Sequence, residues 1–547
     1  MPSPISSKRR LVIAIIARNA AEALAETLVS VRNLADEIVV LDTGSTDETP
    51  SIAEKLGATV HHRPWDDSFA TARNGCLTHI SADWVLWLDA GERLKADEVR
   101  LLREFVDEHA DVTTAYLLRV GITSPSQQCS GEQIACVRLH PNRPGLHFSG
   151  RVRETMERSL FAFGMKLEHL PISIERSVRE YDQQFKAEKA RRNIHLADLQ
   201  IAERGPSADL MNCLGEATQT LGQHEQALQN YQRAKELAEP ASKELLEANY
   251  GLLTCLQNIG EHKLAAEKIS QNRAAQLSIC MEAIASFPLD AQLLCAMAGY
   301  LQSMGQPDLA ARSYSVAYQH GQIEPEIWHL PDIREVAATS QAALLQLAEK
   351  DDEALALLTA AWNAYPSSLR IGRQVVELHV KYARRDEALL AVSKLPSHTP
   401  ARETWRAAVQ GACAAAKGNW VAAQGFLETA YRGGCHERFC LRWLCVTLLA
   451  AGKSQEAQGV LTEWQQFDGD NPELAQFMTA ISEGLATSGT PEATVSATQP
   501  LRPSHSPSSE NRRVDPPQDT TLPGSPKRRA GIGNAVAGTI PQPPAMS

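Results

Sequence analysis

The chain has 547 residues, more than one hydrophobic core usually serves, and its apolar share of 43% is ordinary for a folded protein in water. The net charge of −11, with both signs interspersed, argues against nucleic acid or an anionic membrane as the main partner. The eleven cysteines form no CxxC pair, and no apolar run approaches the roughly 18 residues of a membrane-spanning helix. These features predict a cytoplasmic protein with buried thiols.

The first part of the chain alternates strand and helix patterns. Residues 11–17, "LVIAIIA", form a continuous apolar run that predicts a strand covered on both faces. Residues 20–33 place apolar side chains on one helical face, residues 37–42, "EIVVLD", predict a second strand, and residues 58–62 predict a weaker third. Strands that alternate with helices predict right-handed crossovers and a mainly parallel sheet.

The helix predicted after the second strand carries its own start and stop signals. Ser45 and Glu48 match a capping box, Pro50 suits a first turn, and Gly57 suits the position after the last turn. A further helix is predicted around residues 68–80.

Three later apolar segments extend the predicted sheet. Residues 84–89, "WVLWLD", predict a buried strand, and residues 113–120 and 134–140 add strand-like patterns. The expected fold is therefore an α/β domain of Rossmann-like character.

Polar residues stand where the predicted strands end. Arg18 and Asn19 follow the first strand, Asp42 ends the second, and Asp89 ends "WVLWLD". Ligands of open α/β sheets lie outside the carboxyl ends of the strands. Asp42 can accept hydrogen bonds from a base or ribose, and the small polar residues 43–47 let a ligand approach the backbone ahead of a helix N-terminus.

Asp89 and Glu92 predict a divalent-metal site, because carboxylate oxygens are ligands that Mg²⁺ and Mn²⁺ prefer. Such a metal would neutralise the charge that develops on a departing diphosphate, and Arg73 could reach the same phosphates. The structural alternatives are that Asp42 only starts an Asx-turn, that Asp89 only caps the helix after Leu94, and that Arg73 pairs with a surface acid.

From about residue 183 the composition changes to alanine, leucine, glutamine and glutamate, and a repeat emerges. One glycine-alanine-tyrosine-alanine spacing occurs twice, at Gly222, Ala227, Tyr231 and Ala234 and again at Gly305, Ala310, Tyr314 and Ala317. The alanine recurs roughly every 34 residues, the tetratricopeptide period, at Ala354, Ala388, Ala423 and Ala457.

These anchors are expected to be small because two helices cross closely there, with the tyrosines filling the next gap. Pro366 stands where such repeats turn, and Ala265 is a weaker anchor. The alternative is an irregular helical bundle.

Composition also predicts the division of the chain. We expect a flexible N-terminus over residues 1–10, the α/β domain over 11–180, helical repeats over 183–482 and a disordered tail over 485–547. The tail is rich in proline, serine and threonine and lacks the apolar residues that would offset the entropy cost of ordering.

The segments "IARNAAEALAETLVSV", "DEIVVLDTGSTDETPSIAEKLGA", "ATARN" and "DWVLWLDAGE" resemble the family 2 glycosyltransferases. The likeness covers roughly residues 11–160 and is closest to the bacterial subgroup in which a GT-A domain precedes tetratricopeptide repeats. It implies an inverting transfer of a sugar from a nucleoside-diphosphate donor. Carried over, Asp42 contacts the nucleotide, Asp89 opens a DxD-like element near ribose and metal, and Arg73 lies near the sugar nucleotide.

The resemblance also assigns the remaining site residues. "FSGRVRETM" resembles the family's F-x-G-x-V-H-E stretch, which makes Glu154 the expected catalytic base; the alternative is a surface salt bridge from Glu154 to Arg151 or Arg158. Asp89 and Glu92 are the expected metal ligands. The expected substrate-binding residues are Arg18, Asn19, Asp42, Gly44, Ser45, Asp47, Arg73, Asn74 and Asp89.

The sequence departs from the family pattern at four polar positions, none of them expected to lie in the core. Gly91 replaces the second acid of the DxD-like element, and Ala20 replaces the acid of the KNE opening. Ser68 replaces an acid before Phe69, and Arg153 replaces the histidine before the expected base.

The first functional interpretation is a cytoplasmic glycosyltransferase acting on a protein or glycan, with the repeats binding acceptor or a protein partner. The alternative is a catalytically impaired GT-A domain that serves as a scaffold for a tetratricopeptide binding module. A nucleotidyltransferase is disfavoured, because "ARNAAEA" lacks a glycine-rich, basic phosphate loop.

Overall fold

The computed structural model describes residues 8–122, 131–176, 182–261, 266–395, 399–468 and 472–487. These residues form two compact units. The first reaches to Tyr300 and includes Gln319–Ile333, and the second comprises Leu301–Tyr318 and the described residues from Arg334 onward. Outside the described residues lie residues 1–7 of the predicted N-terminus, residues 488–547 of the predicted tail and the repeat candidate Ala265.

Eight strands of the described residues form one sheet in the first unit. In chain order they are β1 Leu11–Ala17, β2 Glu37–Asp42, β3 Thr59–His62, β4 Trp84–Trp87, β5 Glu92–Arg93, β6 Thr114–Ile122, β7 Gln133–Pro141 and β8 Lys166–Arg176. Their spatial order is β3-β2-β1-β4-β7-β6-β8-β5. The helices among them are α1 Ala21–Val31, α2 Thr49–Lys55, α3 Phe69–Leu77, α4 Ala96–Glu108 and α5 Glu157–Ala162.

The predicted α/β domain is confirmed, and its sheet is mixed. The strands β3, β2, β1 and β4 run parallel, whereas β7 is antiparallel to both β4 and β6. β8 is parallel to β6, and β5 is antiparallel to β8. The parallel half is the half that carries the polar strand ends, so the carboxyl ends of β1, β2 and β4 meet at one edge.

The continuous apolar run of β1 has the expected cause, because both faces of the strand are covered. Leu11, Ile13 and Ile15 pack in a core on one side of the sheet, and Val12 and Ala14 pack in a core on the other. A strand buried on both faces cannot alternate polar and apolar residues.

The start of α2 differs from the capping box predicted for Ser45 and Glu48. The helix begins at Thr49, with Glu48 at the cap position and no side-chain cap hydrogen bond. The Ser45 hydroxyl instead accepts from the backbone N–H of Asn19, so a contact between two loops replaces the local cap. Pro50 in the first turn and Gly57 after the helix, with a φ of 87°, are confirmed.

Helices follow the sheet. They are α6 Gln183–Arg204, α7 Ala208–Thr220, α8 His224–Leu237, α9 Lys243–Glu261, α10 Ala266–Ser286, α11 Ala291–Ser303, α12 Pro307–His320, α13 Ile333–Leu347, α14 Asp351–Ala364, α15 Leu369–Lys381, α16 Arg385–Lys394, α17 Thr399–Ala416, α18 Trp420–Arg432, α19 Arg438–Ala450, α20 Ser454–Asp468 and α21 Pro472–Thr487. Successive helices pack against one another from α6 to α10 and from α14 to α21, the arrangement expected of tetratricopeptide repeats. No helix of the described residues combines the length and apolarity needed to cross a bilayer.

The repeat anchors are buried as predicted. The anchors that are 0% exposed are Ala227, Tyr231, Ala234, Ala310, Tyr314, Ala317, Ala354, Ala388, Ala423 and Ala457. Tyr231 fits only because α7 and α9 present Gly215 and Gly251 to its ring, where an added methyl group would overlap it. Pro366 lies in the turn after α14, as expected.

The first helices of the array share a core with the α/β domain. Phe69 and Val152 pack with Leu196 of α6 and with Leu210 and Leu214 of α7. The described cysteines are free thiols, and all except Cys136 are buried.

Candidate active site

The loop after β2 folds around the Asp42 carboxylate. Its oxygens accept from the backbone N–H groups of Gly44 and Ser45 at 3.2 Å, and Nδ1 of His62 lies 3.2 Å from Oδ2. Burial acts to raise the pKa of Asp42, but the hydrogen bonds from Ser45, His62 and Gly44 outweigh it and lower the pKa below its usual value. Asp42 therefore forms the Asx-turn that was the structural alternative.

The loops after β1 and β2 are joined by side-chain hydrogen bonds. Asn19, at a φ of 49°, accepts from the N–H of Thr46 at 2.7 Å through Oδ1. Asp47 accepts from the N–H groups of Thr49, at 3.0 Å, and Ala21, at 3.3 Å. Asn19, Ser45 and Asp47 thus hold one loop against the other at the carboxyl edge of the sheet.

Asp89, which follows β4 at the same edge, lies between three arginines. Its Oδ1 accepts from Arg73 at 3.0 Å, and its Oδ2 accepts from Arg138 at 3.1 Å and lies 3.7 Å from an amino group of Arg176. Burial acts to raise the pKa of Asp89, but the charges of Arg138, Arg73 and Arg176 hold the pKa well below its usual range. Asp89 does not cap α4, whose cap residue is Lys95.

Glu92 lies beneath Asp89 and is 1% exposed. Its Oε1 accepts from Arg138 at 2.7 Å and from Arg176 at 3.2 Å, and its Oε2 accepts from the N–H of Asp89 at 3.0 Å. Burial raises the pKa of Glu92, with Arg138 opposing the rise.

Arg73 connects this cluster to Glu154. Its Nε donates to Glu154 Oε1 at 2.7 Å, and its guanidinium lies over the ring of Trp87, 4.9 Å from the ring centre. Glu154 Oε2 is buried and has no hydrogen-bond partner among the described residues, and burial raises the pKa of this carboxyl against the opposing effect of Arg73. Glu154 pairs with Arg73 rather than with Arg151 or Arg158, the expected alternatives, and Arg151 pairs with Glu203.

Two neighbouring residues fix the backbone around Glu154. Asn74 accepts from the N–H of Phe148 at 2.7 Å and donates to its carbonyl at 2.9 Å. Arg153, at a φ of 49°, pairs with Glu216 of α7 at 3.0 Å and Glu247 of α9 at 2.7 Å.

Two cavities in the first unit meet at Asp89 and Arg176, which line both. The first cavity, of about 320 Å³, also contains Arg18, Asn19 and Glu92. Its far wall is α6, which contributes Phe185, Lys189 and Arg192.

The second cavity, of about 390 Å³, contains Arg73, Arg138 and Glu154. The segment between α12 and α13 contributes Glu326 and Ile327 to its wall. This segment is anchored on β7, because the N–H groups of Gln133 and Ala135 donate to the carbonyls of His329 and Pro325.

The structure brings some of the expected site residues together and leaves others apart. Arg18, Asn19, Arg73, Asp89, Glu92 and Glu154 line the two cavities. Asp42, Gly44, Ser45, Asp47 and Asn74 contact neither cavity and position the surrounding backbone. Two of the four substituted positions, Ser68 and Gly91, are buried, so the expectation that none lies in the core is wrong for these two.

Sequence reasoning missed Arg138 and Arg176, although an arginine inside an apolar strand is a signal of a buried ion pair. It also missed Lys189 and Arg192. Nothing in the helical pattern of α6 tells which of its cations face the sheet.

Residues 12–133 match the glycosyl transferase family 2 model. A TPR repeat-containing protein of Synechococcus elongatus is 35% identical over 150 residues, which cover 27% of this chain and 36% of that protein. An uncharacterised glycosyltransferase of Rickettsia conorii is 34% identical over 158 residues, covering 27% of this chain and 52% of that protein. The chain thus spans about half the length, or less, of these relatives.

Among solved structures, glucosyl-3-phosphoglycerate synthase from Mycobacterium tuberculosis, in complex with Mn²⁺ and UDP-glucose, is similar over 21% of this chain and 44% of its own. The identity is 23% and the TM-score is 0.18.

The α/β domain at the N-terminus is a family 2 glycosyltransferase domain, and the helices after it carry the anchor spacing of tetratricopeptide repeats. The resemblance inferred from the motifs is confirmed.

Proposed function

We propose that this chain transfers a sugar from a nucleoside-diphosphate donor to a hydroxyl group of a protein or glycan, with inversion at the anomeric carbon. The observation that carries the proposal is the state of Glu154. Arg73 donates to its Oε1 at 2.7 Å, whereas its buried Oε2 has no partner in the part of the chain that the structure describes, and the residue lines the second cavity. A carboxylate oxygen in this position can accept the proton of an acceptor hydroxyl.

In this proposal the donor occupies the first cavity. Arg18, Asn19 and Asp89 line it at the carboxyl ends of β1 and β4, where open α/β sheets bind ligands. The contact of Asp42 with the nucleotide stays a prediction, with Gly44, Ser45 and Asp47 shaping the loop beside it.

The chemical step uses both cavities. The acceptor hydroxyl gives its proton to Glu154 Oε2 while its oxygen forms a bond to the anomeric carbon. The bond from that carbon to the diphosphate breaks, and the nucleoside diphosphate leaves with the electron pair. Attack opposite to the leaving group inverts the configuration. Burial raises the pKa of Glu154, which brings the carboxyl closer to the range of an effective base.

The repeats bind the acceptor or a protein partner in this proposal, since stacked helix pairs present extended surfaces. The free, mostly buried thiols of the described residues support a cytoplasmic location.

The test is the Glu154→Gln variant, which keeps the shape of the side chain and removes the base. We expect calorimetric binding of UDP or GDP to stay unchanged, and slow release of nucleoside diphosphate from nucleotide sugars, with water as acceptor, to fall about 10²–10⁴-fold. Glu157→Gln is the matched control, because Glu157 lines the same cavity and pairs with Lys243 outside the cluster. Equal rates for the two variants would contradict the role of Glu154.

The rival is a scaffold with an impaired transferase domain. The observation in its favour is that Asp89 and Glu92 are both engaged by arginines. The same calorimetry separates the two functions, because a scaffold would bind none of UDP, GDP or their sugars, with Mn²⁺ or without it.

A further inference from the structure

The charges around Asp89 balance within the protein. Six buried groups form one connected cluster, three carboxylates and three guanidinium groups, at Asp89, Glu92, Glu154, Arg73, Arg138 and Arg176. The exposed fraction of these side chains is between 2% and 13%. Each carboxylate therefore already has a cationic partner supplied by the chain.

The residues present do not fit the expected divalent-metal site. A hard cation needs carboxylate oxygens that face it, but Glu92 Oε1 accepts from two arginines and Oε2 from a backbone N–H. Both oxygens of Asp89 also accept from arginines, and Gly91 brings no ligand where the family has an acid. The described residues contain no group of three or more His, Cys, Asp or Glu side chains that could hold a metal ion.

A metal could bind Asp89 and Glu92 only by displacing Arg138 and Arg176 from them. These arginines come from the sheet interior, on β7 and β8, and they would then be buried cations without their anions. Separating one partner of a buried ion pair is strongly unfavourable, because the remaining charge has lost water as well as its partner.

The side walls of the first cavity carry cationic side chains. Four cationic residues line it, Arg18, Arg176, Lys189 and Arg192, together with the two acids Asp89 and Glu92. Lys189 is 7% exposed, and the Arg192 guanidinium lies over the ring of Phe69, 4.9 Å from its centre. The wall formed by α6 is thus a fixed cationic surface facing the carboxyl edge of the sheet.

We propose that the nucleoside diphosphate binds without a divalent metal, its charge being met by Lys189 and Arg192 of α6. This inference rests on the proposed function. Guanidinium groups suit phosphate oxygens because their N–H donors match them in pairs, and Lys189 adds a point charge. The first helix of the repeat array therefore supplies part of the donor site.

The first experiment is calorimetric titration of the full chain with UDP and with GDP, once in EDTA and once in MnCl₂. We expect the nucleotide that binds to show dissociation constants that agree within about twofold in the two buffers. Binding seen only with Mn²⁺ would overturn this inference and leave the proposed function standing. Absence of binding in both buffers would overturn the proposed function and this inference with it.

The second experiment locates the cations. Lys189→Met and Arg192→Met are each expected to weaken UDP or GDP binding in EDTA by about tenfold, the loss of one charge-assisted contact. Arg191→Met is the matched control, because Arg191 is the exposed neighbour on the same helix, outside the cavity lining, and loses the same charge. Melting curves establish that each variant is folded, and Lys189→Arg is expected to restore most of the affinity. Equal affinities for the Arg191 and Arg192 variants, or for Lys189→Met and the wild type, would contradict the assignment.

Discussion

Arg153 stands where the resemblance predicts a histidine, and it holds the segment of the expected base against the helical array. Its side chain is 14% exposed, and those of its partners Glu216 and Glu247 are 3% and 10% exposed. A residue other than glycine at a φ of 49° is strained and persists only where other contacts fix the backbone. The two ion pairs of Arg153 provide such contacts. The substitution has therefore acquired a structural role.

Arg153→Met should destabilise the first unit by roughly 3–5 kcal/mol, because two carboxylates would remain buried together without a cation. The melting temperature reports the loss. Arg151→Met is the control, since the partner of Arg151, Glu203, is 46% exposed and such pairs contribute less than about 1 kcal/mol. Equal losses in the two variants would show that the ion pairs of Arg153 contribute no more to stability than the exposed pair of Arg151.

Asp290, just before α11, gives the fold a specific pH dependence. Tyr250 donates to its carboxyl at 2.8 Å, and burial raises its pKa to about 6. Its unfolded pKa is about 3.9, so the folded state holds the proton more tightly between these values. The contribution of the protonated Asp290 to the stability of the fold is fully present below the unfolded pKa and is lost as the pH rises through about 6.

Asp290→Asn should remove this dependence because the amide does not ionise. A pKa raised from 3.8 to about 6 corresponds to about 3 kcal/mol, so the wild type should lose about that much stability, relative to the variant, between pH 4 and pH 7. Melting temperatures of both proteins at the two pH values measure the difference. A constant offset between them would refute the assignment.

The sequence could point to Asp89 and Glu154, which line the cavities, because strand ends and motif spacing are local. It could not identify Arg138 as their neighbour, because β7 lies beside β4 only through long-range antiparallel pairing. The sequence also did not predict the burial of Asp89, because a carboxylate at a strand tip is expected to face solvent until its arginine partners are known.

Among the helices, α9 shows how the repeats use glycine. Gly251 faces the ring of Tyr231, so Gly251→Ala should destabilise the first unit by about 2 kcal/mol, the usual cost of overpacking. Gly425→Ala in α18 is the control, because nothing lies within 4 Å of the added methyl group and alanine is the better helix former. We expect urea midpoints to fall for the first variant and to rise for the second; a rise in both would contradict the packing argument.

The elements themselves were largely predictable. The patterns for β1, β2 and β3 predicted their positions, and the alanine anchors predicted the repeats because close helix crossing restricts residue size. The capping box at Ser45 failed for a tertiary reason, since its hydroxyl is engaged by Asn19 from another loop. Local chemistry cannot decide between two partners when one of them is distant in the chain.

At the scale of the whole molecule, the α/β domain does not complete its own core. Phe69 and Val152 pack against Leu196 and Leu210 of the first array helices. A chain ending at residue 181 should therefore melt lower than one ending at residue 333 and expose this apolar surface. Only the longer chain should bind UDP or GDP in calorimetry; equal melting temperatures would support a self-sufficient domain with the predicted boundary at residue 180.

Composition marked the change from sheet to helix near residue 183, where α6 begins. It could not reveal that this helix also walls a cavity of the transferase domain, because the pattern of α6 reports only which residues are apolar. Shared cores and shared cavities are properties of the folded chain rather than of either segment.

Asp89 and Arg176 form a common partition between the two cavities. A ligand in one cavity that reorients either side chain changes the contacts that a ligand in the other cavity can make. Such thermodynamic coupling is reciprocal: if donor tightens acceptor binding by some factor, acceptor tightens donor binding by the same factor. In the proposed function, such coupling would let the molecule retain its activated sugar until the acceptor binds.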